Sequence, residues 1–484
     1  MESANCIARL AQIYDWSYPA WSEAQRAQAI EAFQRAQAFF EVGHHPNIDL
    51  PDRASNWVAV IRGAELAMQL AVRGDGGFGL QERRIAGLVD QLRQHLDTAY
   101  ADTGWDQEGL DYLSYGLTIA VPGIIGSLDA GIGALDASWH RPQFANLLMH
   151  SMSAAPGQQR LQWGVGVANG TVAAAPLFFT NTPSAQLPAY LWHYERTVGR
   201  LAPVPRVGGS QDLSAILYWP VGVREQDPDL GPAEVTAPLY DDHAGAYQFR
   251  SRHSDADDVL VGLQNRNAHH LGWNGTDTFG LGLIGHGTAW ARQPAKDYAK
   301  LELFSKPLVD GKVEPAVGRG VTLASRCYPG QHGGFLSLDG SGNYQLATAR
   351  RDVAVDLRPV GGADTVLALH DTFADARSHA YAWQLSPEPG VQISHGATEN
   401  GAATFLLTKG DAYLKGWVVG GEAITFATVN GALQVRQEGT AADFRIVLAV
   451  GAGTPPVATT EGHLLTLGTT RYDLDDLAAF TPAA

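Results

Sequence analysis

Cysteine is nearly missing from this chain: Cys6 and Cys327 are the only two in 484 residues. That count rules out a disulfide framework and a zinc-finger-like cluster. Runs of Lys and Arg are also missing, and the formal net charge is −16. Phosphate backbones need a concentrated positive surface, so nucleic acid is disfavoured as a partner. An acidic substrate is not excluded, because a cleft can be locally basic while the whole surface repels. No stretch of 18 apolar residues marks a membrane span. The start, Met1-Glu2-Ser3-Ala4-Asn5-Cys6, has neither the basic nor the apolar region of a signal peptide. The expectation is a soluble chain without a membrane partner, cytoplasmic, or periplasmic or secreted if a leader has been removed. There is no G-x-S-x-G elbow, no P-loop and no H-E-x-x-H. Gly280-Leu281-Gly282-Leu283-Ile284-Gly285 matches G-x-G-x-x-G by letter, but it sits in a β-type region and not at a strand-to-helix turn.

What is present is an ordinary globular balance, 45% hydrophobic and 17% charged, with 54 glycines and 12 tryptophans. The length calls for two or three domains. The first half reads as helices. Ser22-Glu23-Ala24-Gln25 is a capping box, with Ile30, Phe33 and Phe40 following at helical spacing. Trp57, Ile61, Ala64, Met68 and Ala71 form a second stripe, and Ile85, Leu88, Val89, Leu92 and Leu96 a third. Further helical segments are expected at 109–121, 142–153, 185–198 and 210–218. Their lengths and Gly/Pro-bearing loops predict an (α/α) toroid, short enough to be incomplete. Near 219 the texture changes. Pro220, Pro228, Pro232 and Pro238 punctuate an acidic stretch that reads as a linker. Beyond it, strand-like runs at Ala246–Ser251, Val259–Gln264, Thr365–Leu369, Tyr381–Leu385 and Phe405–Thr408 alternate with turns, and Asp339-Gly340 and Asn430-Gly431 are hairpin dipeptides. The reading is α+β: residues 1–235 a helical toroid, residues 236–484 an antiparallel β-sandwich or stacked sheets.

Three groups of residues could carry chemistry. In Asp106-Gln107-Glu108-Gly109-Leu110-Asp111-Tyr112-Leu113-Ser114-Tyr115-Gly116, a helix beginning near Glu108 would put Glu108, Tyr112 and Tyr115 on one face. A tyrosine beside a carboxylate can act as an acid or base; the alternative is a pair of core rings. In Ser55-Asn56-Trp57, Asn56 is placed to cap a helix or to donate its amide to a substrate oxygen, with Arg62 further along. The third group opens the β half: Phe249-Arg250-Ser251-Arg252-His253, then Asn265, Arg266, His269, His270, Trp273, Asp277 and Phe279, with His286 and Arg292 following. His270, Asp277 and His286 could bind a metal; an irregular solvated loop is the alternative.

Together these groups resemble the heparinase II/III-like polysaccharide lyases. The similar residues are Asn56-Trp57, the stretch Glu108 to Gly116 that matches E-G-x-x-Y-x-x-Y-G, and Tyr247-Gln248-Phe249-Arg250-Ser251 followed by the histidine segment up to Asp277 and Phe279. The resemblance spans roughly residues 50–430 in order of elements. It departs at H-x-H-x-D-x-x-S-F: His270 lies seven residues before Asp277, with Trp273 and Gly275 at the expected histidine positions.

The resemblance implies β-elimination on an acidic, uronate-containing polysaccharide or oligosaccharide. Asn56 with an Arg or His would neutralise the C6 carboxylate, and Tyr112 would be the acid and, on a syn substrate, also the base, with His269 or His270 its rival. Tyr115 and Glu108 would position the phenol. Trp57, Trp105 and Trp273 would stack on sugars, and Arg62, Arg252 and Arg266 would contact the chain. No cofactor is required by this chemistry, although a divalent metal such as zinc or calcium could sit in the β half. An epimerase, a glycoside hydrolase and a non-catalytic carbohydrate-binding protein are the competing readings.

Overall fold

The computed structural model describes residues 2–42, 48, 53–75, 82–100, 103–106, 108–141, 143–154, 160–161, 173–199, 210–231, 233–267, 277–293, 300–315, 319–420 and 424–482. The N-terminal part is helical: α1 (Glu2–Trp16), α2 (Glu23–Val42), α3 (Asn56–Ala71), α4 (Glu82–Ala99), α5 (Leu110–Asp129), α6 (Asp136–Trp139) and α7 (Gln143–Ser151), then helices at Leu187–Thr197 and Ser210–Tyr218. The capping box forms before α2: the Ser22 backbone N–H donates to Gln25 Oε1 (2.9 Å), and the Gln25 N–H donates back to Ser22 Oγ (3.3 Å).

Which helix lies inside follows from its apolar surface. In α4 the buried residues Ile85, Leu88, Val89, Leu92, His95, Leu96 and Ala99 make one stripe, as expected of an outer helix. In α3 every residue from Val58 to Gln69 is buried, so that helix is covered on all sides. α5 is buried on most of its surface as well. These two inner helices run parallel along a seam of small residues. A Cβ on Gly116 would lie 3.1 Å from Ala59 Cβ, one on Gly63 2.4 Å from Ala120 Cα, and one on Gly123 2.9 Å from the Gly63 carbonyl. The contacts advance together along both helices, so their N-terminal ends lie side by side. α4 runs back between them in sequence: His95 near its end bonds the carbonyl of Arg53, just ahead of α3 (2.7 Å). This up-and-back pairing is the toroid arrangement.

The C-terminal part is a stack of antiparallel sheets. The first has the order β1 (Leu239–Asp241), β2 (Ala246–Arg250), β3 (Val259–Gln264), β4 (Gly280–Gly285) and β5 (Thr288–Ala291). Strand alternation divides its side chains. Ala246, Leu260, Ile284 and Ala289 join the helical core, whereas Tyr247, Phe249, Val261, Leu281 and Leu283 join the core beneath. It is therefore the layer between the helices and a ten-stranded sheet. That sheet contains β6 (Leu308–Val309), β7 (Val321–Cys327), β8 (Gly333–Asp339), β9 (Thr348–Asp356), β10 (Thr365–Leu385), β11 (Gln392–Glu399), β12 (Ala402–Lys409), β13 (Ala412–Val418), β14 (Thr425–Val429) and β15 (Ala432–Ala452). On its far side β16 (Ala458–Glu461), β17 (Leu464–Leu467) and β18 (Thr470–Asp473) enclose a third core.

Several local expectations change. The runs 365–369 and 381–385 are two ends of the single strand β10, whose pairing with β15 shifts register between Ala374 and His379. Asn430 and Gly431 have φ of 50° and 82° and make the expected tight hairpin between β14 and β15. Asp339-Gly340 does not; Gly340 leads into a helical turn, Ser341–Tyr344, before β9. The acidic stretch after 219 is no free linker. Asp229 accepts from the backbone N–H groups of His253 (2.7 Å) and Ser254 (2.8 Å), which fastens it to the first sheet.

Candidate active site

The parallel seam brings the starts of α3 and α5 together. Ser55, not Asn56, caps α3: its φ and ψ are extended and its Oγ accepts from the Trp57 N–H. Asn56 is thereby the first helical residue. Its side chain is buried, and neither Nδ2 nor Oδ1 has a hydrogen-bond partner. A buried amide left unpaired costs about 1–3 kcal/mol, and a ligand-binding or catalytic role is one explanation for such a group.

α5 begins at Leu110, two residues later than the spacing predicts, because Gly109 sits at φ 103° and ψ 166°, a conformation suited to glycine. Glu108 therefore is not on the helix with Tyr112. It folds under α3, where Oε2 accepts from the Asn56 backbone N–H (2.7 Å) and Oε1 from Ser55 Oγ (3.3 Å). The Glu108 N–H in turn donates to Asp106 Oδ1 (2.7 Å). Both carboxylates are buried. Burial and then the Glu108 charge hold the Asp106 carboxyl well above the usual carboxylate range.

Tyr112 and Tyr115 are half-buried on α5. The Tyr112 phenol is raised above its ordinary value by burial first, then by Glu108 and Tyr115. Its neutral, proton-bearing form is favoured, which suits a general acid. Beside it, Asp111 forms an ion pair with Arg160 (3.2 Å), both buried. Nothing in the sequence around Arg160, a run of Gly, Ala and Gln, singles that residue out.

Other sequence candidates take different places. Trp105 is 3% exposed within the helical core, so it offers no face to a sugar. Trp57 and Tyr115 pack together against a cluster formed by α1, α2 and α3. Arg62 is buried against Glu65 (3.3 Å), which Arg84 also contacts. Arg252 pairs with Asp255 (3.1 Å) on the surface. Arg266 is buried beside Lys306, Glu314 and Asp277. His269, His270 and Trp273 lie outside the described residues.

Of the three metal candidates, His270 lies outside the described residues. Asp277 and His286 flank β4 at opposite ends, about 20 Å apart by strand rise, and His286 is held by Asp364 (2.8 Å) and Asp257 (3.4 Å). Among the described residues no group of three or more His, Cys, Asp or Glu could hold a metal ion. No helix among them is long and apolar enough to cross a membrane.

A second polar centre joins the helical part to the first sheet. Arg250 on β2 pairs with Asp258 (2.6 Å), both fully buried, and donates to the carbonyls of Met149 in the last turn of α7 and Met152 just after it. Ser153 Oγ donates to Asp258 (2.7 Å). His150, His193 and His253 are buried around it, with the His150 and His253 rings 5.4 Å apart. Burial, with the Arg250 charge, pushes His150 down to about 4 and His253 to about 3, and lowers His193 well below its ordinary value. Arg250 belongs to the Phe249-Arg250-Ser251 group singled out in the sequence. The structure makes it a bolt between the end of α7 and the first sheet.

No family model matches the sequence, and no curated protein matches it. Solved structures do. Heparinase III superposes with a TM-score of 0.66 at 10% identity, covering 97% of this chain and 74% of that one. The heparan sulfate lyase HepC from Pedobacter heparinus gives 0.63 at 12% identity over 97% and 73%. A mutant of that lyase gives 0.58 at 11% identity over 85% and 65%. The chain has the fold of these proteins: a helical N-terminal region followed by large antiparallel sheets.

Proposed function

We propose that this protein is a lyase that cleaves a uronate-containing polysaccharide or oligosaccharide by β-elimination. The observation that carries the reading is the buried, unpaired amide of Asn56, set at the head of α3 beside the head of α5 that bears Tyr112. The shared fold with heparinase III and HepC supports it.

The C5 proton of a uronate is barely acidic while the C6 carboxylate is charged. An amide N–H donated by Asn56 to that carboxylate stabilises the enolate-like intermediate formed when C5 loses its proton. The electron pair then forms the C4=C5 double bond as the C4–O4 bond breaks, and the departing O4 takes a proton. Tyr112, whose phenol holds its proton firmly, supplies it. By the sequence resemblance, the base that accepts the C5 proton is Tyr112 itself on a syn substrate, or else His269 or His270.

A hydrolase reading fits less well. It needs two carboxyl groups flanking a bond, whereas Glu108 is engaged with Ser55 and Asn56, and Asp111 with Arg160. The test is incubation with alginate, glucuronan and glycosaminoglycans, following the ultraviolet absorbance of the unsaturated product. A new double bond on one polymer supports the reading, and none across the panel sinks it. Exchange of the C5 proton with deuterated solvent without a double bond would identify an epimerase.

A further inference from the structure

We propose that Arg53 is a substrate-binding cation, which takes an anionic group of the sugar chain, a carboxylate or a sulfate, beside the unit whose C6 carboxylate meets Asn56; the proposal rests on the lyase reading above. Arg53 lies three residues ahead of Asn56. Three residues of chain span at most about 11 Å, the scale of a disaccharide. The Arg53 guanidinium donates to the backbone carbonyl of Ile48 and, among the described residues, has no carboxylate partner. Other arginines of the helical part are committed: Arg62 contacts Glu65, and Arg160 contacts Asp111. The nearby Glu108 carboxylate is committed as well, to Ser55 and the Asn56 N–H.

The backbone at this position points the same way. Arg53 has φ 53°, in the left-handed region that glycine enters without penalty and residues with a Cβ seldom do. Such conformations persist where the surroundings over-determine them, and they gather at ligand clamps. Here the surroundings are supplied by α4 and the chain after it. His95 Nδ1 bonds the Arg53 carbonyl (2.7 Å), His95 Nε2 contacts the Tyr100 hydroxyl (3.2 Å), and both rings are buried. Glycine would meet the backbone geometry at less strain, yet the position carries a half-buried arginine. Ile48, whose carbonyl tethers the guanidinium, belongs to the cluster against which Trp57 and Tyr115 pack. The cation is thereby anchored close to residues of both α3 and α5. A guanidinium is charged at every working pH, and its planar fork can give two parallel N–H bonds to a carboxylate or sulfate.

The experiment assays Arg53→Gln in the full chain on each polymer that the wild type cleaves among heparosan, heparin, glucuronan and alginate. KM should rise about tenfold or more with kcat within about twofold, because a contact made equally to bound substrate and transition state changes binding alone. Added salt should raise the wild-type KM more steeply than that of the variant. Arg53→Lys keeps the charge without the planar fork and should give a KM below that of Arg53→Gln. A rise on unsulfated polymers identifies the bound group as a carboxylate, and a rise confined to heparin identifies it as a sulfate. Arg53→Gly suits the left-handed backbone, so it should show the same rise in KM with no lower melting temperature, and it carries the test if Arg53→Gln fails to fold. An unchanged KM in either folded variant, or Arg53→Lys no better than Arg53→Gln, overturns the proposal and leaves the lyase reading standing. No product from the wild type on any polymer overturns both.

Discussion

Glu108 Oε2 lies 2.7 Å from the backbone nitrogen of Asn56, so one buried carboxylate ties the segment that carries the candidate amide to the segment that carries the candidate phenol. Its neighbour Asp106 accepts from the Glu108 N–H and is itself held well above the usual carboxylate range. The two acids should thus respond differently to amidation. Glu108→Gln removes a charged acceptor shared by Ser55 and Asn56, and should cost about 2–3 kcal/mol in denaturant unfolding. Asp106→Asn keeps the acceptor and removes a charge that burial already disfavours, so it should stay within about 1 kcal/mol of wild type. The reverse order would show that Asp106 is the ionised partner.

Tyr112→Phe removes the proton-bearing oxygen and leaves the ring. Turnover on the best uronate polymer should fall by about 100-fold or more, with unfolding unchanged within about 1 kcal/mol because the phenol is half-buried. Asn56→Ala should lower kcat/KM comparably. It should not destabilise the fold, since the amide it removes is unpaired there. Retained activity in both variants would remove these residues from the mechanism.

The seam between α3 and α5 can be tested with two glycines. A Cβ at Gly63 meets Ala120 Cα at 2.4 Å, backbone that cannot swing aside. Gly63→Ala should cost about 1–3 kcal/mol and, by parting the heads of the two helices, reduce activity. Gly87 on the outer face of α4 has nothing within 4 Å of its added methyl. Gly87→Ala should raise stability by about 0.5–1 kcal/mol, measured by the same denaturant titration.

The buried histidines predict acid lability at the junction of helices and sheet. The groups facing them are Arg250 and Asp258 from β2 and its following loop, Asp229 from the chain before β1, and Asp255 at the surface. An unfolded histidine takes up its proton near pH 6.5. In the folded protein His150 does so only at about 4 and His253 at about 3. The folded state therefore binds fewer protons in that window, and stability present above pH 6.5 is lost as the pH falls towards 4. Unfolding free energy measured at several pH values should drop by about 1.4 kcal/mol per pH unit for each such histidine. His150→Gln should lessen that slope, and a pH-independent stability between 6.5 and 4.5 would refute the assignment.

How much of this was written in the sequence depends on whether the signal was local. The helical and β halves were legible, because periodicity and turn residues act over a few positions. The stripe from Ile85 to Leu96 is the buried face of α4, and Asn430-Gly431 is the turn before β15. The E-G-x-x-Y-x-x-Y-G stretch could be recognised as a group, but its roles could not be divided. Spacing put Glu108 on a helical face with Tyr112, whereas the positive φ of Gly109 turns its carboxylate under α3. Trp105 looked like a sugar platform until packing enclosed it. Arg160, Asp258 and the histidine cluster had no visible partners, because theirs come from distant segments. Residue types and their order determined what elements could form and which chemistry was available. Only the parallel packing of α3 and α5, set by glycines that let two backbones touch, decided that Asn56 and Tyr112 share one end. Only the layering of the first sheet between helices and large sheet decided that Arg250 is buried as a bolt. Both are contacts between segments far apart in sequence, and no local pattern encodes them.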